Sequence, residues 1–460
     1  MIITNTRTGM IIFLLVANFS SLWRDYPSNN LYETQSYIKV CKSVLSGEAM
    51  KTLIIIGDGM ADRPLKELNY LTPLEAVELK SMDRLASSGI SGLLYPISPG
   101  VVPGSDVANL AILGYDPYKV YTGRGGFEAA GAGIELKKGD VAFRCNFATI
   151  NNDFIIVDER AGRIREDAVK LASELQDLQL KTPLDVEVIF RHTLGFKGAL
   201  VLRGEGLSLN VSTCMPQVNS RADLIKPLDN SAEAERTANA LNEFIRTSYT
   251  LLKENPINQK RRSEGKPPAN VVIPWGGGKK PDIEPLYRRY KLKSACIAAV
   301  SLIKGVCKLS GMDIIDVSEA TGEVDTNTMA KANAALGAIK NHDLVMIHVE
   351  GPDEASHDGD VSGKISIIRK IDSMVGMILE HINLEETCVV LLADHTTSTK
   401  FRRHTADPTP ITIASTEVIG DRVSHYSERA AYRGGLGHIR GRHVIPILLN
   451  LMGKIEKFGA

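Results

Sequence analysis

Hydrophobic positions follow two patterns along this chain, and the patterns separate regions of different structure. Unbroken apolar runs of strand length occur at residues 51–57, 343–351 and 387–394, which is typical of strands buried on both faces of a sheet. Residues 365–382 have helical spacing, and Ser105 opens another predicted helix. Because strands and helices alternate, we predict an α/β protein with a mostly parallel sheet and helices on both faces.

The middle of the chain has a different pattern. Its short runs alternate between apolar and polar residues with period two, as half-buried strands do, and they surround a predicted helix at residues 166–178. We therefore predict an α+β domain at residues 135–268 that is inserted into the first domain. The first domain would then comprise residues 51–134 and 269–460.

The beginning of the chain has neither strand nor helical period. Residues 11–17 are apolar, but this run is far shorter than the ~20 residues that a membrane-spanning helix requires. Met50 stands directly before the first predicted strand. We therefore predict that residues 1–49 are a disordered extension, or that the natural chain starts at Met50.

The balance of acidic and basic residues indicates which classes of molecule the chain can bind. Lys and Arg total 54, and Asp and Glu also total 54, so the chain carries no net basic field. This argues against a nucleic acid or an anionic membrane as partner, whereas a small anionic substrate stays compatible. Six cysteines are scattered without a CxxC pair, which predicts buried free thiols in a reducing compartment, the cytoplasm.

Side chains suited to metal binding follow the predicted strands and turns, where ligands of open α/β sheets collect. Asp58 lies in a Gly-Asp-Gly turn after the first strand. Ser105 begins a helix, whose positive N-terminal end favours a phosphoryl group. Taken alone, each is also an ordinary cap or turn residue. Asp353 and His357 are four residues apart, which places both on one face of a helix or turn.

Asp394 and His395 end a fully apolar strand, where charged side chains are costly unless they are paired or metal-bound. Ordinary surface loops are the alternative for His404 and for the acidic segment around Asp353. In combination, these residues predict two neighbouring metal ions ~4 Å apart, a spacing that suits activation of a nucleophile and binding of phosphoryl oxygens. One metal would bind Asp353, His357 and His404, and the other would bind Asp58, Ser105, Asp394 and His395. Mixed carboxylate and imidazole ligands favour Mn²⁺, Zn²⁺ or Co²⁺ over Mg²⁺, and we expect Mn²⁺.

Longer stretches of the sequence resemble the archaeal branch of the cofactor-independent phosphoglycerate mutases, in the alkaline phosphatase superfamily. The similarity runs from about Lys51 to the C-terminus, and it is carried by IIIGDGMADRP, PGSDVANLAILGYDP, GRGGFEAAGAGI, EGPDEASHDGD and ADHTTS. The resemblance implies an alkaline-phosphatase-like fold and no requirement for 2,3-bisphosphoglycerate. It also implies that Ser105 accepts the phosphoryl group of 2- or 3-phosphoglycerate, and that the bound glycerate reorients and takes the group back on its other hydroxyl.

An anionic substrate of this kind requires cationic partners, and arginine suits both carboxylates and phosphates. The expected substrate-binding residues of the inserted domain are Arg144, Asp158, Arg160, Arg163 and Arg191. Surface salt bridges are an equally ordinary role for these arginines. Lys304 resembles a family lysine near the metals, which implies a catalytic role, and a helix-surface lysine is its ordinary alternative.

Two other functions stay open from the sequence. A metal-dependent phosphatase or a phosphopentomutase would use the same ligands, and the inserted domain would decide between them by admitting or excluding water. A non-catalytic binding protein on the same fold would be expected to lack at least one ligand, and none is missing.

Overall fold

The computed structural model describes residues 50–176, 178–180, 185–213 and 215–459. The expectation for residues 1–49 lies outside this part of the chain, as do Cys41 and Cys214. The other four cysteines, Cys145, Cys296, Cys307 and Cys388, are buried free thiols, as the sequence predicts. In the ranges described, no helix has both the length and the apolar composition that are required to cross a membrane.

The regular elements alternate along most of the chain. The described strands are β1 (Lys51–Gly57), β2 (Ile90–Tyr95), β3 (Val141–Ile150), β4 (Ile156–Asp158), β5 (Glu187–His192), β6 (Lys197–Arg203), β7 (Val271–Gly278), β8 (Ser294–Ile297), β9 (Asp313–Ile314), β10 (Leu344–Val349), β11 (Thr387–Leu392), β12 (Thr396–Ser398), β13 (Arg403–Thr405), β14 (Thr409–Ala414) and β15 (Gly437–Arg440). The described helices are α1 (Lys80–Ser87), α2 (Ser105–Ile112), α3 (Pro117–Val120), α4 (Arg124–Gly131), α5 (Glu166–Ser173), α6 (Ala232–Leu252), α7 (Pro256–Ser263), α8 (Leu286–Arg289), α9 (Ser301–Leu309), α10 (Thr328–Ala338), α11 (Gly351–Asp358), α12 (Val361–His381), α13 (Glu428–Ala431) and α14 (Val444–Leu451).

Eight strands form the central sheet, in the order β15-β2-β14-β11-β1-β10-β8-β9. Neighbouring strands are parallel except in the two pairs that β14 makes. Strands β1, β10 and β11 are neighbours at its centre, and every residue of β10 and β11 is buried. Burial on both faces accounts for the unbroken apolar runs, and the predicted mostly parallel α/β sheet is confirmed.

Helices cover both faces of the central sheet, as the alternate side chains of β1 demonstrate. Leu53 and Ile55 pack in a core cluster that includes residues of α1 and α12. Ile54 and Ile56 point the other way and pack in a cluster with residues of α9 and α14. Because both faces are apolar, the polar side chains that follow these strands gather at the carboxyl edge of the sheet.

A second sheet has the strand order β4-β3-β6-β5, and β7 also pairs with β3. One of its faces carries Phe143 and Phe147 and packs against α6. Strand β7 belongs to this sheet although it begins at Val271, beyond the predicted boundary at residue 268. The division of the chain into two domains with these boundaries stays a prediction.

Helices α4 and α9 join the two sheets by an unusually close contact. A Cβ atom added at Gly131 would lie 1.8 Å from the carbonyl oxygen of Ser301, and one at Gly305 would lie 1.8 Å from that of Phe127. Only glycine permits backbones to approach this closely. Since α4 packs on the second sheet and α9 on the central one, this contact fixes how α4 and the strands that it covers meet the central core.

Candidate metal centre and active site

The first group of predicted metal donors is held by helix α11 and by the hairpin of β12 and β13. Asp353 and His357 share one face of α11, and His404 lies on β13. His357 Nε2 is 3.4 Å from Asp353 Oδ2, and His404 Nε2 is 3.4 Å from Asp353 Oδ1 and 3.2 Å from His357 Nε2. These donors converge in the grouping that the sequence predicts for the first metal, and their role as ligands stays a prediction.

Backbone carbonyl groups orient both imidazole rings of this group. Nδ1 of His357 is 3.0 Å from the carbonyl oxygen of Arg402, and Nδ1 of His404 is 2.8 Å from that of Pro103. A carbonyl oxygen only accepts, so Nδ1 of each ring carries a proton and donates it. In the neutral ring, Nε2 then keeps its lone pair for a metal ion.

The second group lies at the carboxyl ends of β1 and β11 and at the N-terminus of α2. His395 Nε2 is 2.9 Å from Asp58 Oδ1 and 3.1 Å from the hydroxyl of Ser105, which is the first residue of α2. Asp394 accepts hydrogen bonds from the backbone N–H of Gly59 at 3.2 Å and from the side-chain amide of Asn109 at 2.8 Å. All four predicted ligands of the second metal therefore lie together.

The two groups are adjacent, because Asp353 lies between them. Donor atoms of Asp58, Asp353 and His395 lie within 4.8 Å of one another. The rings of His395 and His404 are stacked with centroids 3.9 Å apart. Gly59 permits this crowding. Its φ is +57°, and a Cβ atom there would lie 2.7 Å from Asp353 Oδ1. The structure thus brings all seven predicted ligands into one cluster.

Burial sets the charge states in the second group. It raises the pKa of Asp58 well above the ordinary value, and the carboxylates of Asp394 and Glu350 add to this rise. It lowers the pKa of His395 to about 4, so this ring is neutral at pH 7. Burial also disfavours the charged form of Asp394, but His395 and His348 outweigh it and hold the pKa of that carboxyl at about 2. A cation between these carboxylates would relieve their mutual repulsion.

In the first group, a proton on His357 already balances the negative charge of Asp353. Burial opposes charge on Asp353, yet hydrogen bonds from His357 and His404 outweigh it and hold the pKa of Asp353 well below its usual range. Burial alone would lower the pKa of His357, but Asp353 outweighs it and raises the value to about 9. A metal ion that binds here therefore displaces a proton from His357.

Three polar residues of the site are absent from the ligands that the sequence predicts. Asn109 stands one helical turn after Ser105 and donates to Asp394. Thr397 donates to Asp353 Oδ1 at 2.6 Å and lies 3.0 Å from His395 Nδ1. His348 lies inside the apolar strand β10, and its ring is 3.5 Å from Asp58 Oδ2. The signal for His348 was a polar residue in the otherwise apolar strand β10, which pairs with the strand that precedes Asp58.

Lys304 lies on α9, where its ammonium donates to Asp316 at 2.6 Å. Within the part of the chain that the structure describes, it makes no hydrogen bond or ion pair with the seven predicted ligands. A different lysine approaches the strand ends, because the buried Lys331 of α10 donates to the carbonyl oxygen of His348 at 2.6 Å. Burial lowers the pKa of Lys331 to about 8. The catalytic role of Lys304 stays a prediction that this geometry does not favour.

The predicted substrate-binding residues fall into two sets. Asp158 accepts the backbone N–H groups of Arg160 and Gly162 at 2.8 and 3.0 Å, so it shapes the loop after β4. This loop reaches α11, because Arg160 lies 3.6 Å from Asp358. Arg163 also pairs with Asp358, and its guanidinium is 3.1 Å from Glu323 and 3.5 Å from Glu354.

The second set lies on the polar face of the second sheet. Arg144 and Arg191 both stand beside Ala199 in neighbouring strands, so they share one face, opposite to Phe143 and Phe147. Lys197 is on the same face, and its ammonium lies 2.8 Å from Glu354 on α11. The side chain of Arg144 is buried against Glu128, whereas Arg191 is exposed. This face is therefore directed at α11, the helix that carries two of the predicted metal ligands.

Comparison with known proteins identifies relatives over about nine tenths of the chain. The family model of the 2,3-bisphosphoglycerate-independent phosphoglycerate mutases matches residues 86–258. The 2,3-bisphosphoglycerate-independent phosphoglycerate mutase 1 of Methanothermobacter thermautotrophicus is 49% identical over 413 residues, which cover 89% of this chain and 100% of that protein. The mutase of the same name from Methanocaldococcus jannaschii is 48% identical over 412 residues, which cover 89% of this chain and 99% of that protein.

Two solved structures extend the comparison to three dimensions. A protein from Pyrococcus horikoshii is 37% identical with a TM-score of 0.76, and the match covers 90% of this chain and 100% of that one. The cofactor-independent phosphoglycerate mutase from Thermoplasma acidophilum is 30% identical with a TM-score of 0.59, over 88% of this chain and 100% of that one. Sequence and fold therefore point to the same set of relatives.

Proposed function

Because this chain belongs to the 2,3-bisphosphoglycerate-independent phosphoglycerate mutases, we propose that it interconverts 2-phosphoglycerate and 3-phosphoglycerate through a phosphoserine at Ser105. The reaction needs no bound 2,3-bisphosphoglycerate, in keeping with the name of the family. We assign it to glycolysis and gluconeogenesis. The buried free thiols favour a cytoplasmic location.

The position of Ser105 carries this proposal. Its hydroxyl lies at the positive N-terminal end of α2, 3.1 Å from His395 Nε2. Beside it, the carboxylate of Asp58 is buried. Its Oδ1 lies 2.9 Å from His395 Nε2, but neither oxygen accepts a hydrogen bond of good geometry from the described residues. Buried carboxylates without partners are costly, so this one is expected to hold a cation next to the serine hydroxyl.

The donor set fits two divalent cations. Asp353, His357 and His404 would hold the first, and Asp58, Ser105, Asp394 and His395 would hold the second. When bound, such cations lower the pKa of a coordinated hydroxyl and neutralise charge on phosphoryl oxygens. The mixed carboxylate and imidazole donors favour Mn²⁺, with Zn²⁺ and Co²⁺ as alternatives and Mg²⁺ less favoured.

The residues of the chain then perform two reciprocal transfers. Ser105 Oγ attacks the phosphorus of the bound phosphoglycerate, so a serine ester bond to phosphorus forms while the glycerate ester bond breaks. The glycerate oxygen takes up a proton, and the serine hydroxyl has lost one. After the glycerate reorients, its other hydroxyl attacks the phosphoserine, and Ser105 regains its proton. The sum is an isomerisation with no net gain or loss of atoms.

Retention of the glycerate is assigned to the loop after β4 and to the polar face of the second sheet. Arg160 and Arg163 lie at the edge of α11, and Arg144 and Arg191 lie on the face whose Lys197 already touches Glu354. These cations would bind the carboxylate and the phosphate of the substrate. With Asp158 holding the loop, they would keep the glycerate bound while Ser105 carries the phosphoryl group.

The first experiment separates a mutase from a phosphatase. Metal-loaded enzyme is incubated with 3-phosphoglycerate and Mn²⁺, and products are followed by ³¹P NMR. We expect 2-phosphoglycerate with little inorganic phosphate. Accumulation of mostly inorganic phosphate would favour the phosphatase, and conversion of a ribose phosphate instead would favour a phosphopentomutase.

The second experiment tests the phosphoserine. Rapid acid quenching followed by peptide mass spectrometry should find one phosphoryl group on Ser105 of the wild-type protein. Ser105→Ala should lose mutase activity by about 10⁴-fold or more. Ser88→Ala is the matched control, because the hydroxyl of Ser88 donates to the carbonyl oxygen of Arg84 in the preceding helix α1, and this variant should be fully active. Wild-type turnover in Ser105→Ala would refute the covalent role.

A further inference from the structure

We propose that Lys364 is a positioning residue for the predicted metal ligands, because its buried ammonium ties together the chain segments that carry them. Lys364 belongs to α12, which begins just after α11, the helix of Asp353 and His357. The inference rests on the proposed function, since it concerns the ligands of the two proposed metal ions. Neither Lys364 nor any side chain that it contacts is one of the seven predicted ligands.

The ammonium of Lys364 makes three hydrogen bonds with two other segments. It donates to the carbonyl oxygen of Ala61 at 3.1 Å and to that of Thr397 at 2.9 Å, and it pairs with Asp62 Oδ2 at 3.0 Å. Ala61 and Asp62 belong to the turn after β1, and Thr397 belongs to β12. One cationic group therefore connects α12 with the turn after β1 and with the hairpin of β12 and β13.

Lys364 acts on the metal donors through Thr397. The backbone N–H of Thr397 donates to the same carbonyl oxygen of Ala61, at 3.2 Å, so this residue is held through both its N–H and its carbonyl group. Its hydroxyl then donates to Asp353 Oδ1 at 2.6 Å and lies 3.0 Å from His395 Nδ1. The position of Lys364 thereby sets the spacing of one predicted ligand from each group.

The carboxylate that faces Lys364 is itself fixed by several contacts. Oδ2 of Asp62 accepts the backbone N–H of Thr399 at 3.1 Å and also its hydroxyl, and the backbone N–H of Asp62 donates to Glu428 at 3.0 Å. None of Lys364 and only 4% of Asp62 is exposed. The ion pair is therefore anchored in a buried polar network behind the predicted ligands.

Folding stability alone does not require an ion pair at this position. Desolvation of two buried charges is costly, and apolar pairs of similar volume are often as stable or more stable. An ammonium differs from an apolar group because its three N–H donors fix three acceptors in one geometry, here two carbonyl oxygens and a carboxylate. The benefit of the charged pair is thus the geometry of the segments that it joins.

The test removes both charges, so that no buried charge is left unpaired. In the double variant Lys364→Met/Asp62→Asn, the side chains keep about their size, and the new amide oxygen can still accept from Thr399. We expect the affinity for Mn²⁺, followed by electron paramagnetic resonance of the free ion, to fall about 10–100-fold while the circular dichroism spectrum stays that of the wild type. At saturating Mn²⁺, kcat should stay about 10-fold lower with an unchanged KM for 3-phosphoglycerate, because no predicted substrate-binding residue is altered.

Lys454→Met/Asp343→Asn is the matched control. The ammonium and carboxylate of this pair lie 3.2 Å apart, and Asp343 stands directly before β10, at the end of the strand away from the metal donors. This variant should keep the affinity for Mn²⁺ and the kcat of the wild type. A folded Lys364→Met/Asp62→Asn with wild-type values of both would overturn the positioning role alone, whereas a wild-type protein that binds no Mn²⁺ would overturn the two-metal centre as well.

Thr399→Val covers the case in which the double variant does not fold. It removes one hydroxyl from the contacts of Asp62 and leaves both charges in place. We expect the affinity for Mn²⁺ to fall about 3–10-fold in Thr399→Val and to recover in Thr399→Ser, which keeps the hydroxyl. Unchanged affinity in a folded Thr399→Val would overturn the connection between this network and the predicted metal ligands.

Discussion

The predicted metal donors and the predicted substrate-binding residues lie close together, but they are held by different means. Asp58, Asp394 and His395 are fully buried at the ends of central strands, and the packed sheet fixes their positions. Arg163 lies on a loop and its side chain is 30% exposed. It pairs with Glu354 and Asp358 on α11 and with Glu323 in the segment before α10. Packing in the core therefore positions the predicted metal donors, whereas ion pairs position the predicted substrate-binding Arg163.

This difference has a consequence for the reaction. The metal-side geometry is already present before substrate binds, because burial allows those side chains little freedom. We expect the predicted substrate-binding arginines to exchange one anionic partner for another, because Glu354 and Asp358 already pair with Arg163 in the free protein. Changes on the metal side should therefore abolish activity, and changes on the arginine side should weaken substrate binding.

The largest effect is expected from Asp353→Asn. Asp353 is a donor of the first group, and it also lies within 4.8 Å of Asp58 and His395 of the second, so the amide should weaken both predicted metal positions at once. We expect kcat/KM to fall by at least about 10³-fold, with fewer bound ions by elemental analysis. Asp313→Asn is the control, since this exposed carboxylate pairs with His342 at the sheet edge, and its activity should be unchanged. Full metal content in Asp353→Asn would contradict a shared ligand.

The meeting of the predicted metal donors could be inferred from the sequence, because burial constrains their positions in two ways. An apolar run fixes each central strand, and parallel strands present their carboxyl ends at one edge, so Asp58 and Asp394 had to meet despite their separation along the chain. His348 escaped the prediction although it lies on β10, which pairs with β1, because an apolar run indicates the strand and not the partners of one polar residue within it.

For the predicted substrate-binding residues, the sequence indicated the residue types but not the side chains with which they pair in the fold. Arg144 is buried against Glu128 of α4, and this pairing depends on how α4 packs on the second sheet. Lys304 was placed correctly on a helix, but helical spacing does not reveal which lysine reaches the strand ends, and Lys331 of α10 does so. Such pairings arise from tertiary packing, which local patterns do not encode.

The next largest effect is expected on the free energy of unfolding, and it concerns Glu128 of α4, which contacts both β3 of the second sheet and α9 on the central sheet. Buried Glu128 accepts from Arg144 at 2.6 Å, pairs with Arg124 at 3.1 Å and accepts the hydroxyl of Ser301 on α9. Burial opposes its charge, but the two arginines outweigh burial and lower its pKa from 4.5 to about 2. This contributes about 3 kcal/mol to stability above pH ~4.5, and the contribution is lost as the pH falls from there towards 2.

Glu128→Gln tests this contribution directly. The variant keeps the shape of the side chain and leaves both arginines without their counter-charge, so we expect a loss of about 3–5 kcal/mol in urea unfolding at pH 7. The loss should shrink as the pH falls from 4.5 towards 2, because Glu128 of the unfolded wild-type chain takes up a proton in this range while the native carboxyl stays ionised. Glu135→Gln, at an exposed position, should unfold like the wild type. A stability difference that does not change with pH would contradict the role of the charge.

A smaller effect, on the affinity for metal ions, is expected from Thr397→Val. The Thr397 hydroxyl donates to Asp353 and can accept from Nδ1 of His395, so it orients a ligand of each predicted metal. Loss of such a contact typically lowers metal affinity by about 10–100-fold. We expect this loss in Mn²⁺ titrations of Thr397→Val, recovery in Thr397→Ser, and no loss in Thr396→Val, whose hydroxyl donates to a backbone carbonyl of residue 407. Failure of serine to restore the affinity would indicate a packing role instead.

The smallest effect is expected on the arginine side, from Arg163→Ala. In the free protein, the partly exposed guanidinium is already paired with carboxylates. Substrate groups would replace these carboxylates, so the net gain is only part of a charge-assisted hydrogen bond. We therefore expect KM for 3-phosphoglycerate to rise about 10-fold in Arg163→Ala, with kcat nearly unchanged. Arg163→Lys should not restore KM, since a lysine lacks the planar fork that contacts several carboxylates at once. Arg165→Ala is the control, because Arg165 is more exposed and pairs with Glu323 and Asp325 rather than with the carboxylates of α11 that the structure describes. A fall in kcat without a rise in KM would place Arg163 with the catalytic groups of the metal side and remove the distinction between the two regions.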